Sequence, residues 1–345
     1  MNKYIISSED TIMSAFKMLD ALPILQTVFV SDTHKRIIGT VTDGDIRRGF
    51  INGLNLDDLV KDFVNKQFSF LVEGEENFKK FSEFRVRMLK AVPLLNKDGD
   101  LLKIYDFTKT KSILPIDAVI MAGGKGERLY PLTKDIPKPL LQIGDKTIIS
   151  YNFDRLLQFG INNQHVTVNY LSDQIKDYCS GYNSDINFNI VQEDCFLGTA
   201  GALSLINKFD NELVLLMNSD LLTDIDYEDL YKHFISSNAD ILVASVPYPV
   251  SIPYAIFKNE GSKVKSFEEK PEYIYYANAG IYLIKKDLIN LIPKGKMYNA
   301  TDFMQIIIDS GKNLQHYPIQ SYWLDIGKHN DYIKAQQDIS RLKWS

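Results

Sequence analysis

This chain of 345 residues lacks several features that mark other classes of protein. It has only two cysteines, Cys179 and Cys195, which form neither a metal-ligand pattern nor a disulfide framework. Its net charge of −5 gives no basic excess of the kind that nucleic-acid binding requires. No apolar run approaches the ~20 residues that span a membrane. We therefore expect no nucleic-acid partner and no membrane association.

A secretion signal is also absent from the first residues. Glu9 and Asp10 precede the apolar positions, and no cleavage site of small residues follows. We expect a cytoplasmic protein. The composition, 45% hydrophobic and 24% charged, is that of an ordinary globular protein, and the length favours two domains.

The segment AVIMAGGKGERLYPLTKDIPKP, residues 118–139, carries the strongest signal in the chain. An apolar run there ends in a glycine loop whose backbone N–H groups can surround a compact anion. Arg128 and Lys138 add two cations. The pattern predicts a site for a nucleoside triphosphate. The loop residues expected to contact the nucleotide are Ala122, Gly123, Gly124 and Gly126.

Spacing separates this loop from two other phosphate-binding loops. A dinucleotide site needs G-x-G-x-x-G, but Leu129 stands where the third glycine belongs. The P-loop pattern G-x-x-x-x-G-K-[ST] does not occur. What remains, G-G-x-G-x-R followed by P-K-P at 137–139, resembles the signature of sugar-1-phosphate nucleotidyltransferases. The alternative interpretation is an ordinary turn with a surface arginine and lysine.

Strand and helix patterns alternate from residue 115 to residue 345. This order predicts an α/β domain with a Rossmann-like, mostly parallel sheet covered on both faces, and a ligand at the carboxyl ends of the strands. The resemblance implies the GT-A-like form of this fold. The predicted strands include 166–168, 186–191, 213–217 and 241–246, and the predicted helices include 173–179, 200–209, 227–236 and 329–342.

Two aspartates are candidate metal ligands. Asp220 follows the apolar run 213–216, and Asp325 lies in the string W-L-D-I-G. The resemblance implies that both hold Mg²⁺ against the substrate phosphates, with Arg128 and Lys138 as catalytic residues. Mg²⁺ typically binds through one or two carboxylates plus phosphates. A loop cap is the alternative interpretation for Asp220.

The resemblance implies further contacts in four short segments. For the segment 192–202 the alternative interpretation is a plain loop before a helix, and for 268–270 it is a solvated run of charged residues. One departure concerns the sugar pocket, because Ala255 follows Tyr254 where family members commonly have glycine. The implied nucleotide contacts are Gln192, Glu193, Gly198, Thr199 and Asn218. The implied sugar-phosphate contacts are Glu269, Lys270, Asn278 and Gly280.

Residues 1–110 have a different organisation. A helix, a strand, a turn and a strand precede T-D-G-D-I-R at 42–47, and a weaker copy follows at 78–107. This order resembles a pair of CBS domains, a smaller α+β Bateman module. The resemblance implies that Thr42 and Asp45 contact a regulatory nucleotide. A plain helix N-terminus at these two residues, or a purely structural or oligomerising pair, is equally open.

The resemblance thus divides the chain into a CBS pair at 1–110 and a nucleotidyltransferase domain at 115–345. This layout resembles the guanylyltransferases of bacterial legionaminic acid biosynthesis, which use GTP and glucosamine 1-phosphate. Mannose-1-phosphate guanylyltransferases are the runner-up, and other pairs of NTP and sugar stay open. A non-catalytic sensor of nucleotide sugars is the alternative of another class. We expect a homo-oligomer that uses Mg²⁺, and a helix rather than a hexapeptide-repeat β-helix at 329–342.

Overall fold

The computed structural model describes residues 3–22, 26–75, 77–340 and 342. The chain divides into two compact units, Met1–Ile113 and Leu114–Ser345. Within the described residues, no helix is long and apolar enough to cross a membrane.

The first unit contains two copies of one small β-α-β-β arrangement. In each copy a short strand pairs in parallel with a second strand across a helix, and the second strand pairs antiparallel with a third. Phe29 and Ile37 of the first copy form a core cluster with Ala91 and Leu95 of the second. Its elements are β1 (Ile5–Ser7), α1 (Ile12–Asp20), β2 (Thr27–Ser31), β3 (Ile37–Thr42), α2 (Asp43–Ile51), β4 (Leu71–Val72), α3 (Asn77–Val86), β5 (Ala91–Leu95) and β6 (Leu101–Asp106).

The second unit is built on one seven-stranded sheet. Its elements are β7 (Ile116–Met121), β8 (Gln142–Ile143), β9 (Lys146–Thr147), α4 (Ile148–Gln158), β10 (Asn163–Val168), α5 (Ser172–Ser180), β11 (Asn187–Gln192), β12 (Leu213–Asn218), β13 (Leu221–Thr223), α6 (Tyr227–Ser236), β14 (Ile241–Ser251), β15 (Ile256–Glu260), β16 (Lys263–Glu268), β17 (Glu272–Lys285), α7 (Ala300–Asp309), β18 (Leu314–Pro318), β19 (Trp323–Asp325) and α8 (His329–Ile339).

The strand order of this sheet is β11-β10-β7-β12-β17-β14-β18. Neighbouring strands are parallel except where β17 pairs antiparallel with β12 and β14. The prediction of a mostly parallel α/β sheet is therefore confirmed. The central strands β7 and β12 are almost wholly buried, as strands covered on both faces must be. Their carboxyl ends lie side by side, since Asn218 pairs with Met121.

Two predicted helices are corrected by the structure. The segment predicted as a helix at 200–209 has only a 3-10 turn, Gly201–Leu205. The chain leaves the turn at Ile206, whose backbone is extended (φ −85°, ψ 114°), and the start of the turn is tied to a distant segment, since the N–H groups of Ala200 and Gly201 donate to the carbonyl of Tyr298 at 2.9 and 3.0 Å. The last predicted helix, 329–342, is α8, which ends at Ile339; position 341 lies outside the described residues.

Candidate active site

A cleft of about 650 Å³ opens at the carboxyl ends of the central strands. Most of the predicted nucleotide and catalytic residues line it. They are Gly123, Gly124, Gly126, Arg128, Lys138, Glu193, Gly198, Thr199, Asn218, Asp220 and Asp325. Ala122 and Gln192 are not among its lining residues. The N–H of Ala122 donates to the carbonyl of Thr167 at 2.9 Å, which keeps Ala122 in register with the sheet.

The glycine loop begins where the buried strand β7 ends. Gly126 has a φ of +65°, and a Cβ there would lie 3.0 Å from side-chain atoms of both Lys138 and Thr133. Thr133 Oγ1 also donates to the carbonyl of Gly126 at 2.9 Å. Only glycine fits this position without strain. The close fit places the loop directly against the side chain of Lys138.

Lys138 joins this loop to the first aspartate. Its ammonium is mostly buried and donates to Asp220 Oδ2. Asp220 follows β12, the strand next to β7 in the sheet, so the loop and the carboxylate come from adjacent strand ends. The second oxygen of Asp220, Oδ1, is buried and has no hydrogen-bond partner among the described residues.

Asp325 reaches the same place through a short antiparallel ladder. β13 pairs with β19, so that Leu221 lies opposite Asp325, and the N–H of Ile326 donates to the carbonyl of Asp220 at 3.0 Å. Burial and then the neighbouring Asp220 raise the pKa of Asp325, against the opposing pull of Lys138 and Arg128. Asp325 Oδ1 is likewise buried and unpartnered among the described residues. Two carboxylates therefore lie near each other, and each has one oxygen without a hydrogen-bond partner among the described residues.

Gly327 is a cleft residue that the sequence reasoning missed. A Cβ at Gly327 would lie 3.3 Å from Nη2 of Arg128 and 3.4 Å from Oδ2 of Asp325. The guanidinium therefore rests on the backbone at Gly327, beside the acidic pair. The only signal in the sequence is the glycine two residues after Asp325.

The acidic pair fits a magnesium ion. Among the residues that the structure describes, no group of three or more His, Cys, Asp or Glu side chains could hold a metal by itself. Two carboxylates that line the cleft, each with an unpartnered oxygen, are what Mg²⁺ uses when substrate phosphates supply the other ligands. Asp220 and Asp325 would hold the ion.

The loop after β11 is fixed at both ends. Glu193 is 3% exposed, and its Oε2 accepts from the N–H of Leu197 at 3.0 Å. Burial raises the pKa of this carboxyl, against the pull of that hydrogen bond. Gln192 turns its amide towards backbone carbonyls, including that of Glu193 at 3.2 Å. The sequence reasoning also missed Tyr298, whose N–H donates to the carbonyl of Leu197 at 2.9 Å.

Glycine is required at one more position of this loop. Gly198 has a φ of +79°, and a Cβ there would lie 2.8 Å from the carbonyl oxygen of Tyr298. Thr199 Oγ1 accepts from the N–H of Ala300, the first residue of α7, at 2.9 Å. The loop is therefore seated on the chain that leads into α7.

None of the predicted sugar-phosphate residues lines the cleft. Glu269 and Lys270 are exposed and follow β16, at the end of the β15–β16 hairpin. Asn278 lies on β17 and accepts from the N–H of Gly280 at 2.9 Å. Gly280 touches the cleft indirectly, because a Cβ there would lie 2.6 Å from the amide nitrogen of Asn218. The structure thus brings Gly280 next to the nucleotide residues and leaves the charged pair outside.

Thr42 and Asp45 form a capping box at the start of α2. The N–H of Thr42 donates to Asp45 Oδ2 at 2.8 Å, and Arg48 Nη2 pairs with Asp45 Oδ1 at 2.5 Å. These contacts stabilise the helix N-terminus on their own. Any ligand of these side chains would have to share them with the cap.

Residues 117–341 match the Nucleotidyl transferase family, and the chain belongs to that family. The mannose-1-phosphate guanylyltransferase catalytic subunit beta of Dictyostelium discoideum is 30% identical over 228 residues, 63% of this chain and 63% of that protein. The mannose-1-phosphate guanyltransferase of Schizosaccharomyces pombe is 31% identical over 229 residues, 63% of this chain and 62% of that protein. The chain thus spans under two thirds of the length of these curated relatives.

Solved structures share the fold of the second unit. A Bacillus anthracis protein assigned as a glucose-1-phosphate thymidylyltransferase, in complex with sucrose, aligns with a TM-score of 0.53 and 24% identity, over 67% of this chain and 97% of that one. HddC from Yersinia pseudotuberculosis aligns with a TM-score of 0.50 and 23% identity, over 65% of this chain and 99% of that one. At these identities the likeness shows the fold alone.

Proposed function

We propose that this protein transfers a nucleoside monophosphate from an NTP to a sugar 1-phosphate, giving an NDP-sugar and pyrophosphate. The observation that carries the proposal is the charge cluster at the cleft. Arg128 and Lys138 bring two cations beside a glycine loop, and Asp220 and Asp325 each present an unpartnered buried oxygen. Such a cluster suits a ligand that is itself a chain of phosphates.

In the proposed reaction, an oxygen of the sugar 1-phosphate attacks the α-phosphorus of the NTP. The bond from the α-phosphorus to the bridging oxygen breaks, and pyrophosphate leaves with that electron pair. A phosphate monoester is ionised near neutral pH, so no general base is needed. The protein contributes positioning and charge stabilisation. Arg128 stabilises the leaving pyrophosphate, and Lys138 contacts the α-phosphate.

Asp220 and Asp325 are the residues that would hold Mg²⁺. An ion held there would neutralise charge on the substrate phosphates. Lys138 has a second role, because its ion pair fixes the orientation of Asp220. Gly327 gives the guanidinium of Arg128 room to lie beside Asp325.

We propose GTP as the nucleotide and mannose 1-phosphate as the first acceptor to test. The mannose-1-phosphate guanylyltransferase names of the relatives at 30% and 31% identity support this choice over glucosamine 1-phosphate, which is the second candidate. The sugar phosphate would reach Asn278 and Gly280 beside Asn218. Contact with Glu269 and Lys270 requires movement of the hairpin that precedes them.

The test is release of pyrophosphate from each of five NTPs with mannose 1-phosphate, glucosamine 1-phosphate or glucose 1-phosphate as acceptor. We expect GTP with mannose 1-phosphate to be the fastest pair. Arg128→Ala should lower kcat by about 10²–10³, as does removal of one charge-stabilising donor elsewhere. Lys312→Ala removes an exposed cation in the turn after α7 and should leave kcat unchanged.

Each outcome of this test has a distinct meaning. Preference for dTTP or UTP would refute the guanylyl assignment, and preference for glucosamine 1-phosphate would reverse the order of the acceptors. Silence with every pair would refute nucleotidyl transfer and favour the non-catalytic sensor. Equal activity of Arg128→Ala and the wild type would remove Arg128 from the mechanism.

We also propose that residues 1–110 are a CBS pair that binds a regulatory nucleotide. The twofold β-α-β-β arrangement supports this proposal. Adenosine nucleotides are the ligands to test, because they distinguish binding to this unit from binding of GTP to the second unit. Titration of the full chain with AMP and ATP should show saturable binding that Asp45→Asn weakens. Absence of binding would leave the first unit with a structural role only.

A further inference from the structure

Phe196 is the one aromatic side chain among the described residues that line the cleft, and it is left open to solvent. It lines the cleft with 50% of its surface exposed. Full burial of such a ring is worth about 1.5–3 kcal/mol, so exposure at this place forgoes stability. The other two apolar side chains of its lining, Met121 and Pro139, are aliphatic and less exposed, and the remaining lining residues are glycines, charged residues, amides and hydroxyls. The sequence reasoning passed over Phe196, which is not part of any motif used above.

The backbone on both sides of Phe196 is held in place. Before it, the N–H of Glu193 donates to the carbonyl of Val168 at 2.9 Å, and Asn169 Nδ2 donates to the carbonyl of Glu193 at 2.8 Å. After it, Leu197 is tied through its N–H to Glu193 and through its carbonyl to the loop before α7. The ring is therefore presented from a fixed loop rather than from a free one.

From this geometry we infer that Phe196 is the platform on which the nucleobase of the NTP stacks. This inference rests on the proposed function. An aromatic ring offers nothing to a phosphate or a carboxylate, but its face matches the flat, weakly polar face of a base. A ligand with phosphates for the cations and a flat ring for Phe196 is a nucleoside triphosphate. Stacking tolerates any base, so Phe196 contributes to affinity and not to the choice of guanine.

The experiment compares ligands with and without a base. Binding of GTP and of inorganic tripolyphosphate to the full chain is measured by calorimetry for the wild type and for Phe196→Ala. Loss of one stacking contact should weaken GTP binding about 5- to 150-fold. Tripolyphosphate binding should stay within twofold of the wild type. Phe196→Trp should restore GTP binding, and Phe196→Leu should restore only part of it.

A matched control is available in the first unit. Phe16 lies on α1 with 49% of its surface exposed, so Phe16→Ala removes an equally open ring and should leave GTP binding unchanged. If Phe196→Ala weakened GTP and tripolyphosphate equally, the residue would support the cleft and not the base. If it raised only the KM for the sugar 1-phosphate, the ring would belong to the acceptor.

Failure of this inference differs from failure of the proposed function. Unchanged GTP binding by Phe196→Ala, with pyrophosphate release intact in the wild type, would refute the stacking role alone. Absence of pyrophosphate release with every pair would refute the proposed function, whatever Phe196 does. Melting curves of each variant ensure that a folding defect is not taken for a binding defect.

Discussion

The packing of the loop after β11 against the chain before α7 can be tested by adding a single methyl group. In Gly198→Ala the new Cβ would lie 2.8 Å from the carbonyl oxygen of Tyr298, on a residue whose φ is +79°. That carbonyl accepts from the N–H groups of Ala200 and Gly201 at 2.9 and 3.0 Å. Backbone cannot move aside as a side chain tip can. The substitution therefore combines conformational strain with damage to two hydrogen bonds.

The expected loss of stability follows from these two parts. The left-handed conformation costs an alanine about 1–2 kcal/mol, and each weakened hydrogen bond is worth about 0.5–1.5 kcal/mol. Reduced freedom of the unfolded chain returns about 0.4–1 kcal/mol. The balance is a loss of about 1–4.5 kcal/mol, which lowers Tm by about 2–18 °C for a unit of this size.

The assay is tryptophan fluorescence during thermal unfolding without nucleotide. Trp323, on β19, reports on the second unit; the other tryptophan, Trp344, lies outside the described residues. Two control variants separate the contributions. Gly311 has a φ of +66° with nothing within 4 Å of a Cβ, so Gly311→Ala carries strain alone. Gly124 has neither feature, and Gly124→Ala should melt within about 2 °C of the wild type.

The order of the three melting temperatures shows whether the contact with Tyr298 adds to the backbone strain at Gly198. We expect Gly198→Ala to melt lowest, Gly311→Ala next and Gly124→Ala with the wild type. A Gly198→Ala variant that melts no lower than Gly311→Ala would refute the argument that Tyr298 closes that position.

Two further predictions concern titratable groups. Burial lowers the pKa of His165, so only the unfolded state takes up its proton just below pH ~6.5, and stability should fall as pH drops from about 7 to 5.5. The free energy of unfolding, measured by chemical denaturation, should fall less between pH 7 and 5.5 in His165→Gln than in the control variant His34→Gln, which replaces an exposed histidine. An equal fall in the two variants would refute this. Burial raises the pKa of the Cys179 thiol to about 12, whereas Cys195 is exposed. A thiol reagent should label Cys195 at once and Cys179 only on unfolding; rapid labelling of both would contradict the fold.

Local patterns predicted those elements whose causes are local. The predicted helix 227–236 is confirmed. Its cause is local, because Asp226, just before the helix, accepts from the N–H groups of Glu228 and Asp229. The predicted strand 213–217 is confirmed for a local reason as well, since it is a short apolar run followed by polar residues. The helix predicted at 200–209 was wrong, because the backbone becomes extended at Ile206 and Gly201 packs against the chain near Lys296, almost a hundred residues away, which no local pattern shows.

The same distinction separates the parts of the site. The loop with Arg128 and Lys138 lies within a single stretch of sequence, so its spacing alone predicts a phosphate site. Asp325 was reached only through resemblance, because β13 and β19 meet through long-range pairing. Gly327 is marked only by its place two residues after Asp325, and Phe196 lies in no motif; the role of each depends on the residues that it contacts or the cleft that it lines.

The β13–β19 ladder also sets the order in which the site is completed on the ribosome. Lys138 and the glycine loop are synthesised early, and Asp325 follows 187 residues later (325 minus 138). At about 5–20 residues per second this interval is about 10–40 s. Asp220 follows Lys138 by 82 residues (220 minus 138), so for the last 105 residues (325 minus 220), about 5–20 s, it has Lys138 as a possible partner but lacks the second carboxylate. The two acids meet only when β19 pairs with β13, so the pair proposed to hold a metal ion is completed after all seven strands of the sheet have been synthesised.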